Sequence, residues 1–246
     1  MAEKARNPVF TRAVFDARTA VSTETMTLAG VMRKSLLLLA ICFGGILYAW
    51  AGLPGVGLSG PVAGRLFIGG FIGGVGLLIY TRFHPERAVI TGPLYALLQG
   101  LVIGVLTLFL QATYKGLPAQ AALLTVSTLV VMLIGYRTGL IRATDKFRTI
   151  VSSCTLSIFL FYIIAFGMSL FGLEIPFLHE GGLLGIGFSL FVVVLAALNL
   201  ILDFDFIDRG VGTAPAELEW LAAFGLVVTL IWLYMEILRL LTKLRR

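Results

Sequence analysis

The sequence predicts an all-α membrane protein, a bundle of seven transmembrane helices. Two observations give the membrane class. Of the 246 residues 59% are apolar and only 13% are charged, about half the charged share usual for a soluble domain. A soluble fold of this size could not hide so much apolar surface, because its outer shell must be polar. The third observation is the division of the apolar residues into seven runs of roughly 18–24 residues, each near the length needed to cross a bilayer as a helix. These runs do not alternate polar with apolar residues, as barrel strands would.

The elements follow in chain order. Residues 1–34 are polar and of mixed charge and read as a tail, helical from about Thr27, which is placed to cap the helix that follows. The tail is too long before the first apolar run for a signal peptide, and Glu3, Asp16 and Glu24 argue against a transit peptide. The transmembrane domain then occupies residues 35–246. Its spans are expected at about Ser35–Leu53, Pro61–Tyr80, Thr91–Ala112, Ala119–Tyr136, Val151–Phe171, Gly182–Phe204 and Leu218–Leu241. Pro54, Pro61, Pro85, Pro118, Pro176 and Pro215 punctuate the connections, where a missing amide donor costs little. Gly69, Gly70, Gly73, Gly74 and Gly76 in the second span, with Gly100 and Gly104 in the third, predict close helix packing, and Gln99 an interhelical hydrogen bond.

Charge sets the expected orientation. Thirteen of the 19 Lys and Arg residues fall in the tail and the even-to-odd loops. The positive-inside rule therefore puts the N-terminus in the cytoplasm. The basic C-terminus, with Arg239, Lys243, Arg245 and Arg246, falls on the other side and runs against the rule. The net charge of +6 is spread over tails and short loops without a nucleic-acid motif, so no nucleic-acid partner is expected. Cys42 and Cys154 lie inside apolar runs and have no metal-ligand spacing, so neither metal nor cofactor is expected.

Ionisable groups inside spans are costly and face the bundle interior by default. The densest group closes the sixth span. Asn199 and Asp203 are four residues apart and share one helix face, Asp205 lies beyond, and Asp208 and Arg209 read as solvated. An acid at a helix C-terminus meets the unfavourable end of the macrodipole and needs a cation or a proton. The spacing is not that of an EF-hand. In the seventh span Glu236 lies two turns beyond Thr229 and three residues before Arg239, with which it can pair locally.

Three segments, in this order, resemble the bacterial branch of the transmembrane Bax-inhibitor-motif family. They are the end of the second span, Leu78-Ile-Tyr-Thr-Arg82; the sixth-span ending around Asp203; and Leu230-Ile-Trp-Leu-Tyr-Met-Glu-Ile-Leu-Arg239. The stretch Thr25-Met-Thr-Leu-Ala-Gly-Val-Met-Arg-Lys34 resembles the version in bacterial members, so the likeness covers most of the chain from Met26 onward. The resemblance implies a last helix at the bundle centre, a bacterial cytoplasmic membrane and a pH-sensitive cation leak, chiefly for calcium. It assigns the first of two gating acids to Asp203 and the arginine that latches the closed state to Arg82. An ungapped match puts Thr229 at the second acid's place and Glu236 two turns away at a neutral amide's.

On this reading Arg82 and Asp203 form a cytoplasmic latch. Arg82 favours the charged form of Asp203, while burial and Asp205 oppose it. An alternative is a non-conducting regulator that docks onto another membrane protein, such as a membrane protease. An enzyme is not expected. Gly57-Leu-Ser59-Gly60 and His179-Glu-Gly-Gly182 look superficially like rhomboid-protease pieces, but both fall in outer loops, and nucleophilic catalysis needs Ser and His within hydrogen-bond reach. No lysine lies in mid-membrane to hold retinal.

Overall fold

The computed structural model describes residues 24–52, 61–171 and 182–245. Those residues are all-helical, and seven helices are long and apolar enough to cross a membrane. They are α1 (Leu28–Gly52), α2 (Pro61–Phe83), α3 (Ala88–Thr113), α4 (Leu117–Arg137), α5 (Asp145–Leu170), α6 (Leu183–Gly210) and α7 (Leu218–Leu244). A 3-10 turn, Pro85–Arg87, joins α2 to α3. Each expected span lies within or almost within one of these helices, but hydropathy marks only the greasy part. Thus α1 starts at Leu28, so residues 28–34 of the expected tail are its first two turns, and α5 and α6 each run about six residues further into polar sequence. The rest of the tail, residues 1–23, lies outside the described residues.

Pro61 opens α2, Pro85 opens the 3-10 turn and Pro118 is the second residue of α4, positions where a helix needs no amide donor. Pro93 stands inside α3, near its start. Pro54 and Pro176 lie outside the described residues.

The chain divides into two compact units. One holds α1, α2 and α3 with Asp205–Ile231; the other holds Leu117–Phe204 and Trp232–Arg246. In the first unit α3 packs against both α1 and α2. The α1 contact is glycine-built. A Cβ on Gly100 would overlap the Cys42 carbonyl oxygen, and one on Gly45 would lie 2.8 Å from the Leu97 carbonyl oxygen. On α2, Gly70, Gly73 and Gly74 face Val102, Leu98 and Gln99, whereas Gly69 and Gly76 have open space where a side chain would be. Of the α2 glycine stripe, only that edge therefore serves close packing.

The segment before α1 is stitched to the α6–α7 connection. Met26, fully buried, donates from its amide to Ala214 O at 2.7 Å and accepts from Gly212 N at 2.9 Å, and Ala216 N reaches Glu24 O at 3.0 Å. Gly212 makes this turn with φ of 75°, a conformation that side chains resist.

In the second unit the core is Val151, Ile158, Val192, Leu195 and Leu202, from α5 and α6, with Phe188 and Trp232 packed against it. Helix α7, which contributes to both units, is the most buried of the seven. In its most apolar window 72% of residues are buried, against 50% in α3 and 11% in α5. Side chains of α5 largely face outward, as a lipid-exposed helix requires.

Candidate functional site: buried polar groups on α6 and α7

Helix α6 carries Asn199, Asp203 and Asp205 in one unbroken run. Asp203 is 6% exposed on a helix that carries no charge in the five turns before it, so its carboxyl sits where a charge is expensive. Asp205 pairs with Arg209 one turn on, at 3.3 Å. Asn199 shares its face with Asp203, yet its amide turns across to α5. It donates to Thr155 Oγ1 at 2.8 Å and to Leu195 O at 2.8 Å. Arg82 stands in the last turn of α2, half-buried, next to Thr81, whose hydroxyl donates to Thr91 Oγ1 at 2.7 Å.

Glu236 is 2% exposed on α7 and is held by three donors. Tyr162 Oη of α5 donates to its Oε1 at 3.0 Å, Trp232 Nε1 at 3.3 Å, and Arg239 Nη1 reaches both carboxylate oxygens at 3.1 Å. Arg239 also donates to Tyr162 Oη and lies over its ring, 4.9 Å from the centroid. The pairing of Glu236 with Arg239 is what their three-residue spacing allows; Tyr162 and Trp232 complete a cluster that spacing does not announce. Thr229 is buried, and its hydroxyl donates to Gly225 O at 3.2 Å within α7.

A third buried carboxylate lies at the start of α7, where sequence reasoning saw nothing. Thr27 caps α1 as expected, its Oγ1 accepting from Gly30 N at 3.0 Å. In a capping box the third helical residue supplies a Glu that reaches back to the cap amide. Here that residue is Gly30, and Glu219 of α7 does the task instead. Its Oε1 accepts from Thr27 N at 2.8 Å and from Thr27 Oγ1 at 2.9 Å, and its Oε2 accepts from Lys34 Nζ at 2.5 Å. Lys34 also lies 5.5 Å from the Trp220 ring centroid. A Cβ on Gly30 would overlap the Glu219 carboxylate. The one signal in the sequence is a glycine at the third helical position after a capping threonine.

Among the described residues no three His, Cys, Asp or Glu side chains gather into a group that could hold a metal. Ser59 and His179, of the two rhomboid-like pieces, lie outside the described residues. What the polar groups offer is a set of carboxyls, hydroxyls and amides within apolar helices, where each is costly without a partner.

A search of the curated proteins and one of the solved structures find no match. A family model described as Bax inhibitor 1 like matches residues 7–246. With nearly the whole chain matched and seven membrane-length helices in place, the protein belongs to the Bax inhibitor 1 like family of membrane proteins.

Proposed function

We propose that the protein is a pH-sensitive cation leak, chiefly for calcium, in a bacterial cytoplasmic membrane, with its N-terminus in the cytoplasm. The observation that carries the reading is Asp203, a carboxyl 6% exposed on an apolar spanning helix. Such a group is retained against its cost where it serves a charge pathway. Family membership and the positive-inside count support the rest.

The proposed mechanism is a latch. Arg82 lies in the last turn of α2 and Asp203 in the C-terminal third of α6, both even-numbered spans, so alternation of seven spans gives both the same membrane side. When Asp203 is ionised it attracts Arg82 and the path is closed. When it takes a proton the attraction is lost and the path opens, with Asp205 biasing the balance. Thr229 occupies the place of a second gating acid, and Glu236 supplies a carboxylate two turns further along α7, already engaged by Tyr162, Trp232 and Arg239. The reading assigns no covalent step to the chain.

The test is calcium flux into liposomes that hold only this protein, from about pH 6 to about pH 8, beside the Asp203→Asn variant. Flux in the parent with its pH response abolished in the variant is the expected result. An unchanged pH response in Asp203→Asn would remove Asp203 from the mechanism. No flux at any pH from folded, inserted protein would replace the leak by a non-conducting regulator, and a stoichiometric membrane-protein partner would then be sought by pulldown.

A further inference from the structure

The second unit places two polar steps on one stripe, with an apolar step between them. On α5, Thr155, Ile158 and Tyr162 recur at i, i+3 and i+7 and so share one face. On α6, Val192, Leu195 and Asn199 recur with the same spacing. The helices run antiparallel here, since Thr155 meets Asn199 at 2.8 Å while Tyr162 meets Phe188, their ring centroids 6.4 Å apart. Between these two contacts lie Ile158, Val192 and Leu195, 8%, 0% and 4% exposed and packed in one cluster. Seven residues of α5 separate the steps, about 10 Å along the axis. On the far side of the apolar step stands the Tyr162–Glu236–Arg239 cluster.

The same cluster resumes beyond Thr155–Asn199 with Val151 and Leu202, so the polar pair interrupts an apolar core on one side of this step while the Glu236 cluster bounds it on the other. One further group is harder to explain as packing. Ser189 is 1% exposed, one turn from Val192 on the same stripe, and its hydroxyl has no hydrogen-bond partner among the described residues. An orphaned buried hydroxyl costs about 1–3 kcal/mol, a cost relieved if water or a passing ion reaches it. Short apolar constrictions between hydrated vestibules gate channels by dewetting.

We propose that Ile158, Val192 and Leu195 form an apolar gate, with Thr155–Asn199 as the vestibule on its cytoplasmic side and Ser189 and the Glu236 cluster as the vestibule on its outer side. The proposal rests on the leak reading for its purpose, and on the α5–α6 stripe for its location. Closed, the gate interrupts the water file; opened, it exposes hydroxyl and amide oxygens that replace part of a cation's hydration.

The test reads sidedness without requiring flux. With Cys42 and Cys154 replaced by alanine, Asn199→Cys and Ser189→Cys variants in sealed vesicles are treated with a charged, membrane-impermeant thiol reagent from each side. Asn199→Cys should label from the cytoplasmic side only and Ser189→Cys from the outer side only. Adding Ile158→Ser should let each label from both sides and raise calcium flux at least about tenfold at the pH where the parent is closed. Val192→Phe, which thickens the plug, should cut flux to background. Cysteines that are inert from both sides would show a dry core and overturn the gate, as would sidedness unchanged by Ile158→Ser. Should Ile158→Ser not fold, Ile158→Ala in the same labelling assay decides. A parent without flux would sink the leak reading alone, because labelling still judges the gate.

Discussion

Replacing Gly30 by alanine should change sign between two backgrounds. In the parent, the new methyl group would occupy the space of the Glu219 carboxylate. That carboxylate can move only by giving up Thr27 N, Thr27 Oγ1 or Lys34 Nζ. Removing one partner of a buried ion pair costs about 3–5 kcal/mol. The Lys34 side chain is 23% exposed against 8% for Glu219, so water softens the loss, and Glu219→Ala should cost about 2–4 kcal/mol. Gly30→Ala displaces the carboxylate without deleting it and gains up to about 1 kcal/mol of helix propensity. Its net cost in the parent should be about 1–2 kcal/mol. In the Glu219→Ala background the obstruction is gone, only the propensity gain remains, and the same substitution should stabilise by up to about 1 kcal/mol. Unfolding of the four proteins in mixed micelles by titration with a denaturing detergent closes the cycle. Equal destabilisation by Gly30→Ala in both backgrounds would refute the in-trans cap, because the cost would then arise somewhere other than Glu219.

Four further substitutions can be read by the same unfolding titration. Gly100→Ala should cost about 1–3 kcal/mol, because its Cβ meets the Cys42 carbonyl oxygen and backbone cannot step aside. Gly69→Ala, with nothing within 4 Å of the new atom, should be neutral or stabilising by up to about 1 kcal/mol; equal costs for the two would show that glycine here serves something other than α1–α3 contact. Tyr162→Phe removes a donor to a buried carboxylate and should cost about 1.5–3 kcal/mol, and about half of that in a Glu236→Gln background, whose amide oxygen still accepts but carries no charge. Trp50→Phe loses the 3.1 Å bond to Thr107 but strands no hydroxyl, since Thr107 also donates to Ile103 O at 2.7 Å, so about 0.5–1 kcal/mol is expected.

The seven helices were legible because hydropathy is a property of consecutive residues, and a lipid-facing span such as α5 must be apolar wherever it touches lipid. Their polar ends were less so, because capping and first-turn charges continue a helix past its greasy part. Thr27 was legible for the same local reason: a capping hydroxyl acts within three residues. The Glu236–Arg239 pair was readable from a spacing of three. By contrast Glu219 looks like any acid in a first helical turn, where the macrodipole favours it. Its partner Thr27 stands 192 residues upstream, and no periodicity links them. Asn199 shows the limit most clearly. Spacing put it on the face of Asp203, which the helix honours, yet its hydrogen bond crosses to Thr155 on another helix.

The same limit bears on Ile158 and Val192. Read along the chain they are indistinguishable from the outward-facing Leu156 and Phe191, each merely one more apolar residue in a span. Only the pairing of α5 with α6 turns them inward and sets them between Thr155–Asn199 and Tyr162–Glu236. A substitution by serine should therefore separate the two classes. Ile158→Ser should open the stripe to water from both sides. Leu156→Ser, 60% exposed on the opposite part of the helix, should leave thiol sidedness as it was. A lipid-facing Leu156→Ser that opened the stripe as fully as Ile158→Ser would mean that loosened packing in general, and not a located gate, lets water through.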